Sequence, residues 1–226
     1  MISKRDIIRL GLFLLLLLPV AGVSKAQDFV LRVGGGLSSH YGSSTRNIGA
    51  FRIGAGYDIP LNALWSIEPA VYYFAKGWKD KDQEVPAYDD KGNYVYDEDG
   101  NQVMGLMNVT SNANYIEIPV LLHYKWETNR DNNVLFSFGP YAAYGIGGKT
   151  KVSGDTEQTG VKRYYYDHST FGQTGMHRFD AGLSIGASYR FAQQFEVGVL
   201  CDLGLTRTSR QGGKNMAVVL TLAYRL

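Results

Sequence analysis

The chain has one cysteine, Cys201, and six prolines among its 226 residues. A single thiol excludes an intramolecular disulfide framework, and Cys201 reads as a small, largely apolar residue on a strand. Histidine is scarce too, and His40 and His177 stand alone, without metal-ligand spacing. There is no basic cluster, which removes the usual footprint of a nucleic-acid binder. One apolar run near the N-terminus is short of the roughly 20 residues that a membrane-spanning helix needs, and no later segment comes close.

That run, Leu10 to Val23, follows Lys4, Arg5 and Arg9 and leads to Ser24-Lys25-Ala26, a small-x-small site before Gln27. This is the pattern of a secretory signal peptide over residues 1–26, cleaved after Ala26. No cysteine lies near the site to carry a lipoprotein anchor. Removing the segment takes away four bases (Lys4, Arg5, Arg9, Lys25) and one acid (Asp6), so 23 bases and 21 acids become 19 and 20 and the formal charge moves from +2 to −1. The basic balance therefore belongs mostly to the leader. Residues 27–226 read as one domain.

Glycine and tyrosine are abundant, at 27 and 16 residues, which suits a β protein with close backbone packing and amphipathic aromatics. Alternating hydrophobicity predicts strands near 28–38, 47–59, 65–76, 113–126, 133–147, 177–191, 194–206 and 215–226. Each is long enough to cross a bilayer as a tilted strand of about 9–11 residues. The final stretch is typical: Met216, Val218, Leu220, Leu222, Tyr224 and Leu226 share one face, and Ala217, Val219, Thr221, Ala223 and Arg225 share the other. A strand so placed needs paired neighbours and a cover for its apolar face, and lipid is one such cover.

The connections alternate in length. Short turns fall near Pro60-Leu61-Asn62, Asn129-Arg130-Asp131-Asn132 and Ala192-Gln193, and long or polar connections near 39–46, 77–112, 148–176 and 207–214. Transmembrane barrels show this asymmetry, with short periplasmic turns and longer extracellular loops, which puts both termini of the mature chain in the periplasm. A soluble barrel has the same period, so other features decide. Phe29, Tyr57, Trp65, Tyr124, Trp126, Phe136, Tyr189, Phe191, Phe195 and Tyr224 gather on the apolar faces at the short-turn rim, as an interfacial girdle does. The opposite faces carry Gly34, Gly36, Gly54, Gly56, Gly139, Gly182, Gly186, Gly198 and Gly204 together with charges, which suits a narrow lumen. The expected fold is all-β: a single antiparallel up-and-down transmembrane β-barrel of about eight strands, in contact with outer-membrane lipid.

Three segments carry a resemblance. Tyr115-Ile116-Glu117-Ile118-Pro119-Val120-Leu121-Leu122, then Gly139-Pro140-Tyr141-Ala142-Ala143-Tyr144-Gly145, then Arg178-Phe179-Asp180-Ala181-Gly182-Leu183, resemble the signatures of the PorT-like outer-membrane β-barrel family of Bacteroidetes. The resemblance spans essentially the whole mature chain. It implies a small outer-membrane barrel with no catalytic residue, and an association with envelope assembly or type IX secretion through a protein partner. Location follows from it more firmly than function.

The charges on the inward faces are the most chemical feature of the strands. Arg32, Arg52, Lys125, Arg190 and Arg225 share the lumen with Asp58, Glu68, Glu117, Asp180, Glu196 and Asp202, and His123 adds a titratable group. An eight-stranded interior is only just wide enough for side chains, so these groups should pair and plug it; a narrow transport pore is the rival reading.

Loop 77–112 is acidic and holds two turn-forming clusters around Tyr94-Val95-Tyr96. Gln102 replaces the EF-hand glycine and the distal Glu is missing, so a solvated hairpin is expected rather than a calcium site. Loop 148–176 contains Tyr164, Tyr165 and Tyr166, which with Tyr94 and Tyr96 form a candidate contact surface. The neighbouring Asp167, His168 and Ser169 are adjacent in sequence, which is not the geometry of a triad. The preferred reading is a non-enzymatic barrel that presents its loops to partners or supports envelope assembly or secretion, with the narrow pore as its rival and an outer-membrane lipid-modifying enzyme as the weaker third. No motif asks for a cofactor or a metal, and no oligomeric state is assigned.

Overall fold

The computed structural model describes residues 28–89, 91–129, 132–154, 165–172, 176–210 and 212–226. The expected signal peptide, Arg130 and Asp131 of one expected short turn, and Tyr164 lie outside the described residues. The strands are β1 (Asp28–Tyr41), β2 (Thr45–Arg46), β3 (Ile48–Pro60), β4 (Trp65–Asp80), β5 (Gln83–Pro86), β6 (Met104–Asn129), β7 (Asn132–Gly147), β8 (Lys149–Gly154), β9 (Tyr165–Ser169), β10 (Phe179–Phe191), β11 (Phe195–Arg207) and β12 (Lys214–Arg225).

Eight of them close a ring in the order β1-β3-β4-β6-β7-β10-β11-β12, every pairing antiparallel. The last pairing, β12 with β1, runs in unbroken register from Arg225 opposite Val30 to Lys214 opposite Tyr41. Closure satisfies the edge groups that an open sheet would leave unpaired. Among the described residues no helix is long and apolar enough to cross a membrane.

The two-residue period sorts the side chains. On β12, Leu220 is 67% exposed and Leu222 61%, while Val219 between neighbouring exposed residues is 1%. The exposed set continues around the ring through Leu31, Ile53, Val71, Phe138, Ile185 and Val199, an apolar band suited to lipid. At the short-turn end the aromatics meet one another, with ring centroids 5.5 Å apart for Phe29 and Tyr57, 5.0 Å for Trp65 and Tyr124, 5.6 Å for Phe191 and Phe195 and 5.3 Å for Phe195 and Tyr224.

The short turns have local causes. Asn62 Oδ1 accepts the backbone N–H groups of Leu64 and Trp65, each at 2.9 Å, which bends the chain from β3 into β4. Between β10 and β11, Ala192 and Gln193 both have positive φ, at 50° and 59°, the left-handed pair that matches the twist of a tight hairpin.

At the long-loop end the strands run past their sequence-based limits. β4 reaches Asp80 rather than residue 76, and β6 begins at Met104 rather than 113. The outer part of β6 pairs with β4, β5 and β8. Asn108, Thr110, Asn112 and Asn114 hold the positions where an apolar face would have shown in the alternation, which concealed that part of the strand.

The lumen is filled by more than glycine and charge. Tyr72, Phe74, Tyr115 and Leu121 are fully buried there. Glycines make the room: a Cβ on Gly54 would lie 2.6 Å from Tyr72 Cδ1 and 2.1 Å from the Val71 carbonyl oxygen, and one on Gly182 would lie 2.7 Å from Tyr141 Cε1. These glycines are required by close approach rather than by backbone angle.

Candidate functional site

Seven of the eight ring strands deliver charge to the barrel axis from their inward faces, β7 adding Ser137 and Tyr141 instead, and the side chains meet in an ordered column. From the short-turn end, Arg225 donates to Asp28 and Asp58, at 2.6 Å each. Arg190 lies 3.7 Å from Asp58 and 3.4 Å from Glu196. Arg32 lies 3.1 Å from both Glu196 and Glu68. His123 places Nε2 3.2 Å from Glu68, and its Nδ1 meets Ser137 Oγ at 2.7 Å. The Tyr72 hydroxyl donates to Glu68 at 3.4 Å, and its ring carries the Arg52 guanidinium at 4.0 Å. Arg52 in turn lies 3.1 Å from Glu117 and 3.3 Å from Asp202. Lys76 completes the series, 3.3 Å from Glu117 and 3.0 Å from Asp180.

One rule covers the column: each of the five cations stands between two carboxylates. Five buried cations face six buried carboxylates among the described residues. Charges taken out of water are tolerable only when paired this closely. The guanidinium Nε atoms of Arg32, Arg52 and Arg190 have no protein partner, because the terminal nitrogens face the carboxylates. The column therefore specifies an arrangement at some cost in stability.

Sequence reasoning grouped Lys125 with these residues, and the structure corrects that. Lys125 keeps the inward register of β6, but it stands where the ring opens at the short-turn end. Its side chain is 34% exposed and lies 3.5 Å from Glu127. It lines a rim cavity of about 250 Å³ with Asp58, Arg190 and Arg225. The residue that sequence reasoning missed is Lys76. Its ammonium lies 4.8 Å from the centre of the Tyr115 ring and 5.1 Å from that of Tyr141, a cation–π cage closed by Glu117 and Asp180. All four cage residues come from the three segments that carry the family resemblance, so those segments converge on one lysine.

Two features sit beyond the column at the long-loop end. The first is a compact knob between β5 and β6. Tyr88–Val95 and Tyr96–Val103 are tandem copies of Tyr-Asp-x-x-Gly-Asn-x-Val, a repeat that the sequence carries and sequence reasoning missed. Asp89 Oδ1 accepts N–H groups from Lys91 and Asn93 at 2.8 Å each; Asp97 Oδ1 accepts from Asp99 at 3.0 Å and Asn101 at 2.7 Å. Gly92 and Gly100 both have φ of +83°, which a glycine adopts without strain. The copies are tied by backbone bonds from Ala87 N to Val103 O at 2.9 Å, Val103 N to Val95 O at 2.9 Å and Val95 N to Ala87 O at 3.1 Å. Hydrogen bonds from the backbone amides of Asn93 and Asn101, joined by those of their side chains, hold the Asp89 and Asp97 carboxyls below their ordinary range.

On this knob Tyr94 and Tyr96 are exposed, and the Tyr88 and Tyr94 rings lie 4.9 Å apart. The backbones of Tyr165 and Tyr166 pair in β9 with Ser153 and Val152 of β8, in a different hairpin from the one that carries Tyr94 and Tyr96. The second feature is an open cup floored by His40 and Trp78, whose rings stack at 3.9 Å. Among the described residues no group of three or more His, Cys, Asp or Glu is arranged to hold a metal ion.

Residues 26–210 match the family model described as Outer membrane protein beta-barrel domain. The chain belongs to this family. Among solved structures it is similar to the attachment invasion locus protein Ail of Yersinia pestis, at 12% identity over 88% of this chain and 97% of that one, with a TM-score of 0.41. It is also similar to Neisserial surface protein A, at 14% identity over 88% and 96% with a TM-score of 0.39. A major outer membrane protein from Thermus thermophilus matches at 12% identity over 89% and 100%, with a TM-score of 0.39. No match is found among curated proteins. The apolar band of this outer-membrane barrel is thus its lipid-facing surface.

Proposed function

We propose that this barrel is a non-enzymatic envelope protein that keeps its lumen closed and presents its long loops to a protein partner. The carrying observation is the contrast between its interior and its long-loop end: a column of paired charges inside, and a self-braced knob with exposed tyrosines past the apolar band. Rigid aromatic side chains give large contact area at small entropic loss, and the knob is rigid because its two turns are bonded to each other as well as internally. In this reading the leader 1–26 is removed on export, the short turns and both termini face the periplasm, and the long loops face outward. The PorT-like resemblance favours a role in envelope assembly, with type IX secretion as its specific form.

A narrow pore requires the column to part, and each cation would then have to leave two carboxylates in a medium of low dielectric. The loop-presenting reading is tested by crosslinking intact cells that carry either the full chain or a chain in which residues 88–102 are replaced by a short glycine linker. The expected result is a protein adduct formed by the full chain and lost from the shortened one, with both assembled in the outer membrane. Identical adducts from both would remove the knob from function, and failed assembly of the shortened chain would make it part of the barrel's structure.

A further inference from the structure

Above Lys76 the inward register continues while its chemistry changes. On β4 it passes through Trp78 to Asp80, and on β1 through Ser38 to His40. Paired charge gives way to hydroxyl and amide groups, and the ring opens into a cup of about 680 Å³, within the size range of small-ligand sites. Seven of its seventeen lining residues are serine or threonine, so hydroxyl groups line much of the wall beside the apolar surfaces of Trp78, Val109 and Met176.

The floor is braced from below. His40 lies flat on Trp78, its Nε2 meets Asn215 Oδ1 at 3.1 Å, and Asn215 donates to Asp180 at 2.8 Å. Part of the wall is internally satisfied: Ser111 and Thr150 share a hydrogen bond at 2.9 Å, and Asp82 is held by Arg46 at 2.9 Å. Asp80 is different. Among the described residues no hydrogen bond or ion pair reaches its carboxylate, and the side chains of Gln83, Ser44 and Ser209 make none either. The cup thus offers one carboxylate, the Lys81 ammonium beside it, one amide and free hydroxyls around an aromatic floor.

Each ligand class meets that set differently. An anion, including a sulfated or phosphorylated one, would find one lining cation, Lys81, set between the carboxylates of Asp80 and Asp82, so no net attraction draws it in. A small cation would answer Asp80 and leave the amide and hydroxyls unused. A neutral sugar ring supplies neighbouring hydroxyls to the carboxylate and further donors and acceptors to the wall. We infer that the cup is a binding site for a neutral saccharide unit, with two ring hydroxyls donating to Asp80 and others exchanging hydrogen bonds with Gln83, Ser44 and Ser209. This site is separate from the tyrosine knob, and the inference does not rest on the knob having a partner.

The test uses the full chain in detergent micelles and reads Trp78 fluorescence, since Trp65 and Trp126 lie at the opposite end of the barrel. The probes are maltose, lactose and N,N′-diacetylchitobiose, with sucrose octasulfate and spermidine as charged controls. At least one neutral disaccharide should quench or shift the emission saturably at millimolar concentration. Asp80→Ala should weaken that binding about tenfold or more, the usual effect of losing hydrogen bonds to a charged acceptor, and Gln83→Ala should weaken it less. Both variants should keep the heat-modifiable gel mobility of a folded barrel, and replacing residues 88–102 should leave binding unchanged. The inference is overturned if none of the three disaccharides binds, if only a charged control binds, or if Asp80→Ala binds as tightly as the parent.

Discussion

Lys76 Nζ lies 3.0 Å from Asp180 Oδ2 across the lumen, although β4 and β10 share no hydrogen-bonded pairing. The same ammonium touches Glu117, and it is walled by aromatic rings on either side. One lysine therefore ties together β4, β6, β7 and β10 through side chains alone.

Removing that tie should cost more than removing any rim charge. Lys76→Met leaves two buried carboxylates without their shared cation and should lower stability by about 3–5 kcal/mol. Lys125→Met, at a partly exposed pair, should change it by less than about 1 kcal/mol. Urea unfolding of both variants in the same micelles measures the difference. Equal losses would mean that Lys76 is not a structural centre.

The interior fit makes a second demand. Gly54→Val puts side-chain atoms against Tyr72 and the Val71 carbonyl and should destabilise the barrel by about 1–3 kcal/mol. Gly35→Val is the control, since a Cβ there meets nothing within 4 Å, and its stability should be unchanged or higher. Unfolding midpoints for the pair check the assignment of inside and outside on β1 and β3.

Much of this was legible beforehand, for identifiable reasons. The alternation in Met216 to Leu226 reports two different solvents on two faces, and the register follows. Glu117, Asp180, Arg52 and Arg32 were readable as inward because they interrupt apolar or glycine-rich runs at the right parity. Lys76 was not, because it lies at the sequence-based end of its strand, where the polar residues of the long connection begin. Lys125 was misplaced for the converse reason: parity assigns a face, but it does not say where along the axis the lumen opens. The mouth cup was out of reach as well, since Ser44, Gln83 and Ser209 come from separate connections that only the closed ring brings together.

Depth in the membrane gives a third prediction. Leu220→Arg, on the lipid face of β12, should impair assembly by about 2–4 kcal/mol, whereas Trp126→Arg, in the aromatic girdle, should cost about 0–1 kcal/mol. The yield of heat-modifiable barrel from refolding into lipid vesicles ranks the two. A reversed ranking would mean that Leu220 does not face the bilayer core.

The tandem turns predict an acid response. Asp89 and Asp97 have carboxyls held below their ordinary value of 3.8 by hydrogen bonds to the charged form. A lowered folded pKa contributes stability that is present above the unfolded value of about 3.9 and is lost as pH falls through the folded one. The amide resonances of Gly92 and Gly100 should therefore stay fixed from neutral pH down to about 4 and move only below it. Movement centred at or above that value would show that the carboxylates do not hold the turns.

The closed lumen is tested most directly by inserting the purified protein into a planar bilayer and recording current. With every column cation held between two carboxylates, the unmodified protein should show little steady conductance, and Lys76→Met or Arg52→Met should raise it by loosening the column and admitting water. Large, reproducible single-channel currents from the unmodified protein would contradict the plugged barrel and establish the column as the lining of a pore.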